Sequence, residues 1–153
     1  MEVLSSIADD AEHESPLWAR LLRAHDQREL DPVFSDLAPT RFAVGVETIY
    51  EAYLVHYGRP RLFADLDADE AVLLGDYLYA QGLVRIAEAG GVPAVAAMAE
   101  LISSCAALRA DGAAGDGEAW VEVARALGGT PSGDCVSRSA SSGSTTWRRA
   151  SRR

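Results

Sequence analysis

Apolar residues recur every three or four positions through most of residues 1–129, a spacing that is typical of amphipathic α-helices. The pattern predicts six helices, over residues 2–13, 16–28, 41–57, 68–89, 93–110 and 117–127. No strand-like alternation of useful length interrupts them, and the connections between them are short. The sequence therefore predicts an all-α fold, an antiparallel helical bundle.

Helix boundaries are marked by residues with known end preferences. Ser15 and Pro16 form a helix start, because Ser can cap and Pro at the first helical position loses no hydrogen bond. Asp67 and Glu70 have the spacing of a capping box. Gly90-Gly91 predicts the end of the helix of residues 68–89.

The helix of residues 68–89 is apolar nearly all the way round, which predicts that it is the most buried helix of the bundle. Gly75 and Gly82 are seven positions apart and share one face. We expect that face to permit close approach of a neighbouring helix.

Charge and composition divide the chain into two parts. The 153 residues carry a net charge of −9, yet residues 130–153 hold five of the 14 Arg and one of the 23 acidic residues. Residues 1–129 are thus predicted to be an acidic helical domain, and the Ser-, Gly- and Arg-rich residues 130–153 a disordered tail. The acidic domain disfavours nucleic acid and anionic membranes as partners.

Location is inferred from what the sequence lacks. No signal peptide is recognisable at the N-terminus, and no uninterrupted apolar run reaches the length of a membrane span. Cys105 and Cys135 are too few for a disulfide framework and are expected to be free thiols, Cys105 as a core residue. We therefore expect a cytoplasmic protein without a membrane span.

Two of the helices carry residue patterns at fixed spacing. The first pattern consists of Glu47, Ala52, Leu54 and His56, with Tyr50 at the position where the family named below often has His. The second, A-V-L-L-G-D-Y-L, contains Gly75, Asp76 and Leu78. In this order they resemble the trans-polyprenyl diphosphate synthases. There, a helix of the form E-x-x-H-x-A-x-L-x-H leads into an Asp-rich motif, and a later helix carries A-V-L-x-G-D-x-L. The resemblance covers residues 40–110 and implies the N-terminal part of the isoprenoid synthase fold.

The chain departs from the family where the family binds metal. After His56 come Tyr57, Gly58, Arg59, Pro60 and Arg61, and D-D-x-x-D occurs nowhere in the sequence. The family uses such aspartates to hold Mg²⁺ on the diphosphate leaving group. The resemblance thus implies no catalytic residue and no cofactor in this chain, with Mg²⁺ present only if a partner synthase supplies the site.

Four residues are implied by the resemblance as weak candidates for substrate binding: Arg59, Arg61, His56 and Asp76. Arg59 and Arg61 resemble a basic segment that binds diphosphate in the family. The alternative is that they are solvated cations at a helix end, which the sequence alone does not distinguish from binding residues. Asp76 lies between apolar residues and is expected to need a partner such as Arg59, Arg61 or a Tyr hydroxyl. His56, near a helix C-terminus, also suits the helix dipole.

Three further groups of residues have two interpretations each. Asp65, Asp67 and Asp69 are weak metal candidates, but a helix start accounts for them better. Glu47 and Glu51 could bind metal, although a solvent-facing acidic stripe is favoured. Tyr50, Tyr53 and Tyr57 are predicted to form an aromatic surface for a partner or a prenyl tail.

The resemblance is strongest to the small, non-catalytic subunit of heterodimeric heptaprenyl diphosphate synthases. It implies a regulatory subunit or remnant in isoprenoid metabolism, on the menaquinone side-chain branch, that acts through a catalytic prenyltransferase. Such a chain is not expected to be an enzyme on its own. The alternatives are a small helical interaction or scaffold protein with no isoprenoid role, and an enzyme with a relocated acidic site at residues 65–70.

Overall fold

A computed structural model describes residues 2–129, which form an all-α protein. Its five α-helices are α1 (Glu2–Glu14), α2 (Pro16–Leu21), α3 (Ala43–Tyr57), α4 (Ala68–Ala110) and α5 (Asp116–Ala126). Short 3₁₀ turns lie at His25–Gln27, Ser35–Leu37, Thr40–Phe42 and Leu127–Gly129. The predicted fold class is confirmed. The predicted disorder of residues 130–153 lies outside the described residues.

The predicted helix starts are present. The hydroxyl of Ser15 accepts a hydrogen bond from the amide of Leu17 at 3.0 Å. The Asp67 carboxylate accepts from the Glu70 amide at 2.8 Å, and the Glu70 carboxylate accepts from the Asp67 amide at 3.1 Å, which completes the capping box. Each bond satisfies an amide that has no partner within its helix.

One helix end differs from prediction. Helix α2 ends at Leu21, not at residue 28, because the chain then pairs with the segment before α4: the Arg23 amide donates to the Leu62 carbonyl and the Ala64 amide to the Leu21 carbonyl. The break predicted at Gly90-Gly91 is present. Gly91 has φ 64° and ψ −161°, a non-helical conformation that glycine adopts readily, so α4 consists of two helical segments that meet at this kink.

Helix α3, and not α4, is the central helix, so the prediction for residues 68–89 is wrong. Ten of the 15 residues of α3 are buried. Helix α4 instead leaves Val72, Leu73 and Val84 more than half exposed, at 54%, 57% and 53%. An apolar surface all round α4 suggested burial, but α4 packs on the bundle with one side only.

The core lies on two sides of α3. Helix α5 and the second half of α4 cover one side, where Phe34, Trp120 and Met98 are buried. Helices α1 and α2 cover the other side, together with Leu62 and Phe63 from the connector before α4. Each covering layer thus depends on α3 for its position.

The predicted close approach at Gly75 and Gly82 is confirmed. A Cβ on Gly82 would lie 2.4 Å from Cγ1 of Ile49, and a Cβ on Gly75 would lie 2.3 Å from Nε2 of His56. The His56 ring also stacks on Tyr79, with 5.2 Å between ring centroids. The two glycines therefore let α3 and α4 lie closer than larger residues would allow.

We expect Gly75→Ala to lower the free energy of unfolding by about 1–3 kcal/mol, because the added methyl overlaps the His56 ring. In a His56→Ala background the same substitution should be neutral or should stabilise by up to about 1 kcal/mol, since Ala favours helix over Gly. Urea denaturation of the four proteins of this cycle measures both values. An equal loss in both backgrounds would show that His56 does not occupy this position.

Candidate functional site

Three charged side chains meet inside the protein and form what we call the buried ion cluster: Glu47, Glu51 and Arg61. Both carboxylates have no exposed surface, and 6% of the Arg61 side chain is exposed. Arg61 Nη1 donates to Glu47 Oε2 at 2.8 Å, and Arg61 Nε donates to Glu51 Oε2 at 2.9 Å. The glutamates lie one turn apart on α3, so that one guanidinium reaches both.

Glu47 uses its other oxygen to hold a connector. Its Oε1 accepts hydrogen bonds from the amides of Val33, Phe34 and Ser35, at 2.8, 2.7 and 2.8 Å. Three consecutive amides converging on one oxygen form a concave anion-binding turn. The carboxylate therefore fixes the chain between α2 and α3, which has little regular structure of its own.

Glu51 does the same for the connector between α3 and α4. Its Oε1 accepts from the amides of Arg61 and Leu62, both at 2.8 Å. The guanidinium of Arg61 lies over the ring of Tyr50, 5.0 Å from its centroid. The buried ion cluster thus joins α3 to both flanking connectors by charge-assisted hydrogen bonds.

These positions correct two expectations. Glu47 and Glu51 do not form a solvent-facing stripe, and Arg61 is not a solvated helix-end cation. Spacing alone could not reveal this, because carboxylates at i and i+4 look the same on a buried and on an exposed face. The available signal was the neighbourhood: both glutamates lie within a helix rich in large apolar residues, which leaves little of its surface for solvent.

Burial is the main influence on the pKa of Glu51 and raises it above its ordinary value, while Arg61 and the amide of Leu62 act in the opposite direction. A carboxyl whose folded-state pKa is raised stabilises the fold most below its unfolded pKa, and this contribution is lost as the pH rises through the folded pKa. The hydrogen bonds of Arg61 and the connector amides therefore limit a cost that burial imposes near neutral pH.

His56 and Asp76, two of the predicted site residues, lie together where α3 crosses α4. His56 Nε2 is 3.4 Å from Asp76 Oδ1, and the Asp76 side chain is 73% exposed. Asp76 is thus not a buried carboxylate, and its partner is His56 and neither Arg nor Tyr. The Asp76 carboxylate is thus exposed at the surface, whereas the His56 ring is largely enclosed between Gly75 and Tyr79.

Arg59 and Arg61 separate in the structure. Arg59 lies at the surface and pairs with Glu29, whereas Arg61 turns inward to the buried ion cluster. The two cations therefore do not form one diphosphate-binding surface with His56 and Asp76.

A polar cleft of about 390 Å³ lies between the end of α3 and the start of α4. Arg23, Gly58, Pro60 and Asp65 are among its lining residues. The Nε of Arg23 is buried without a hydrogen-bond partner, and its Nη2 donates to the Pro60 carbonyl at 3.2 Å. One cation and one carboxylate line the cleft, which gives it no net charge to attract a diphosphate.

The metal candidates Asp65, Asp67 and Asp69 are arranged as a helix start. Asp67 caps α4, its capping-box partner Glu70 pairs with Arg20, and Asp65 turns the chain with φ 56°. Within residues 2–129, no three His, Cys, Asp or Glu side chains converge as a metal site would require. The Asp67 and Glu70 carboxylates thus cap the start of α4.

The three tyrosines of α3 are not the exposed aromatic surface that was predicted. Tyr53 is buried, Tyr50 is half-buried, and Tyr57 alone is substantially exposed, at 41%. Tyr50 and Tyr53 pack edge-on against Trp120 of α5, with ring centroids 5.1 and 5.9 Å apart. Helix α5 covers the surface that the sequence suggested for a partner.

A second polar cluster could not be predicted from the sequence, because its members are far apart along the chain. The Tyr53 hydroxyl donates to Asp116 and accepts from Arg109, whose guanidinium also pairs with Asp116. Burial and the bond to Asp116 raise the pKa of Tyr53 to about 12, and the Tyr53 and Arg109 hydrogen bonds lower the pKa of Asp116. The cluster connects the start of α5 to α3 and to the end of α4.

No family model, curated protein or solved structure matches this chain. Helix α4 is long and apolar enough to cross a membrane by length and composition, with an 18-residue window of mean hydropathy 1.6, of which 22% is buried. Core helices of soluble proteins can have the same length and composition, so the absence of a membrane span stays a prediction.

We expect Arg61→Leu to lower the free energy of unfolding by about 3–5 kcal/mol, because it leaves two buried carboxylates without their cation. Arg59→Leu is the matched control, and the loss of its exposed ion pair should cost less than about 1 kcal/mol. Part of the Arg61→Leu loss should be recovered as the pH falls, since the unpaired carboxyls can then take up protons. Denaturant titrations of both variants at several pH values measure these effects, and equal losses would contradict the cluster.

Proposed function

We propose that this protein is a non-catalytic subunit related to the polyprenyl diphosphate synthases, which acts in isoprenoid metabolism through a partner synthase. The proposal rests on one observation. His56, Gly75 and Asp76, which carry the sequence resemblance, are in contact where α3 packs on α4. Residues that match a family pattern on two separate helices and also meet in space are more informative than either match alone.

The polar groups near this contact are consistent with a role that is not catalytic. Ionisation of an allylic diphosphate needs clustered Mg²⁺ to take up the charge of the leaving group. Asp67 and Glu70 form the capping box of α4, and Glu47 and Glu51 are engaged in the buried ion cluster. In this proposal the partner synthase therefore supplies the Mg²⁺ site, and the present chain shapes or stabilises that partner.

An interaction or scaffold protein with no isoprenoid role is the second candidate. The exposed apolar residues of α4 favour it, because they suit a protein partner of any function. The two candidates differ in whether a prenyl synthase responds to the chain.

The purified chain should form no product when incubated with Mg²⁺, isopentenyl diphosphate and farnesyl diphosphate. Added to a synthase from the same genome that carries both Asp-rich motifs, it should bind and change the rate or the chain length of the products. Heat-denatured chain is the control. Product from the chain alone would overturn the non-catalytic assignment. Absence of binding and of any effect on that synthase would favour the scaffold candidate.

A further inference from the structure

The solvent side of α4 carries a line of apolar residues that nothing in the described structure covers. Leu73, Ala80, Val84 and Ala87 are all exposed and recur at spacings of seven, four and three. These spacings place them on one side of the helix, opposite the side that packs on α3. We call these four residues the α4 stripe. At 1.5 Å per residue the stripe is about 21 Å long.

The α4 stripe is unusual for a solvent-facing helix side, which is normally polar. Leu73 and Val84 are 57% and 53% exposed, and Val72, 54% exposed, widens the stripe at its N-terminal end. Scattered apolar residues on a surface need no explanation, but four exposed apolar residues on one side of a helix, interrupted only at Asp76 and the partly buried Tyr77, are typical of an interaction site.

The charges around the stripe indicate what kind of surface would cover it. Asp69, Asp76 and Glu88 are exposed on or beside the same side of the helix. The only cation in α4 before Gly91 is Arg85, and it turns away to pair with Asp10 and to donate to Thr48. The surface is therefore apolar along its centre and acidic at its edges.

This charge pattern discriminates between occupants. A second copy of the chain would bring a second acidic surface against the first, and like charges at an interface oppose association. An anionic lipid surface would be repelled in the same way. A helix with an apolar stripe bordered by Arg or Lys matches both the apolar line and the carboxylates.

We propose that the α4 stripe is a docking surface for a cationic amphipathic helix of a partner protein. In such a contact the apolar side chains of the two helices interdigitate, and an Arg or Lys of the partner pairs with Asp76. The inference does not depend on an isoprenoid role for the partner.

The test uses the full chain and two synthetic helical peptides that share one Leu stripe, one bordered by Arg and the other by Glu. Fluorescence anisotropy should show binding of the Arg peptide and at least tenfold weaker binding of the Glu peptide. The double variant Leu73→Gln/Val84→Gln should bind the Arg peptide at least tenfold more weakly than the unchanged chain does, and Asp76→Asn should bind it severalfold more weakly. The matched control is Val92→Gln, at a residue 80% exposed beyond the kink, which should leave binding unchanged.

Other outcomes would overturn the proposal. Equal binding of the Arg peptide to the chain and to the double variant would show attraction by charge alone. Self-association in sedimentation, abolished in the double variant, would assign the stripe to a second copy. Binding to phosphatidylcholine vesicles that is lost in the double variant would assign it to a lipid surface. Thermal midpoints of all variants should match that of the unchanged chain, which excludes misfolding as the cause.

Discussion

The ion pair between Arg61 and the two glutamates of α3 is the interaction on which the rest of the fold depends. Replacing such a group by apolar residues can be neutral, so its presence is weak evidence of stability, but removal of one member is costly. Here the carboxylates also bind five connector amides, three at Glu47 and two at Glu51. The cluster therefore specifies the path of the chain on both sides of α3, and through it the position of the covering layers.

The position of α3 has a consequence for α4. Because the connector before α4 is tied to Glu51 and Gly75 admits His56, α4 lies against α3 with its glycine-bearing side. Its other side is left to solvent with an apolar surface. A helix that is apolar all round is thus divided between a contact inside this chain and a surface suited to another molecule. Both candidate functions, and the docking proposal, draw on that division.

The sequence predicted those features that depend on neighbouring residues. Caps at Ser15 and Asp67 and the close approach at Gly75 follow from local patterns, and all are present. The buried ion cluster could not be predicted in the same way, because Arg61 comes ten residues after Glu51 and its inward turn depends on tertiary packing. The exposure of Leu73 could not be predicted from the sequence. An apolar residue favours burial, but it does not show whether its own chain or a partner protein buries it.

Hydrogen exchange at the connector amides tests the central claim most directly. The amides of Val33, Phe34, Leu62 and Arg61 lie outside the α-helices, where exchange is ordinarily fast. If the glutamates hold them, they should exchange as slowly as the amides of α3, and Arg61→Leu should remove that protection at temperatures where α3 remains folded. Exchange of these amides in the unchanged protein at the rate of an open loop would contradict the account.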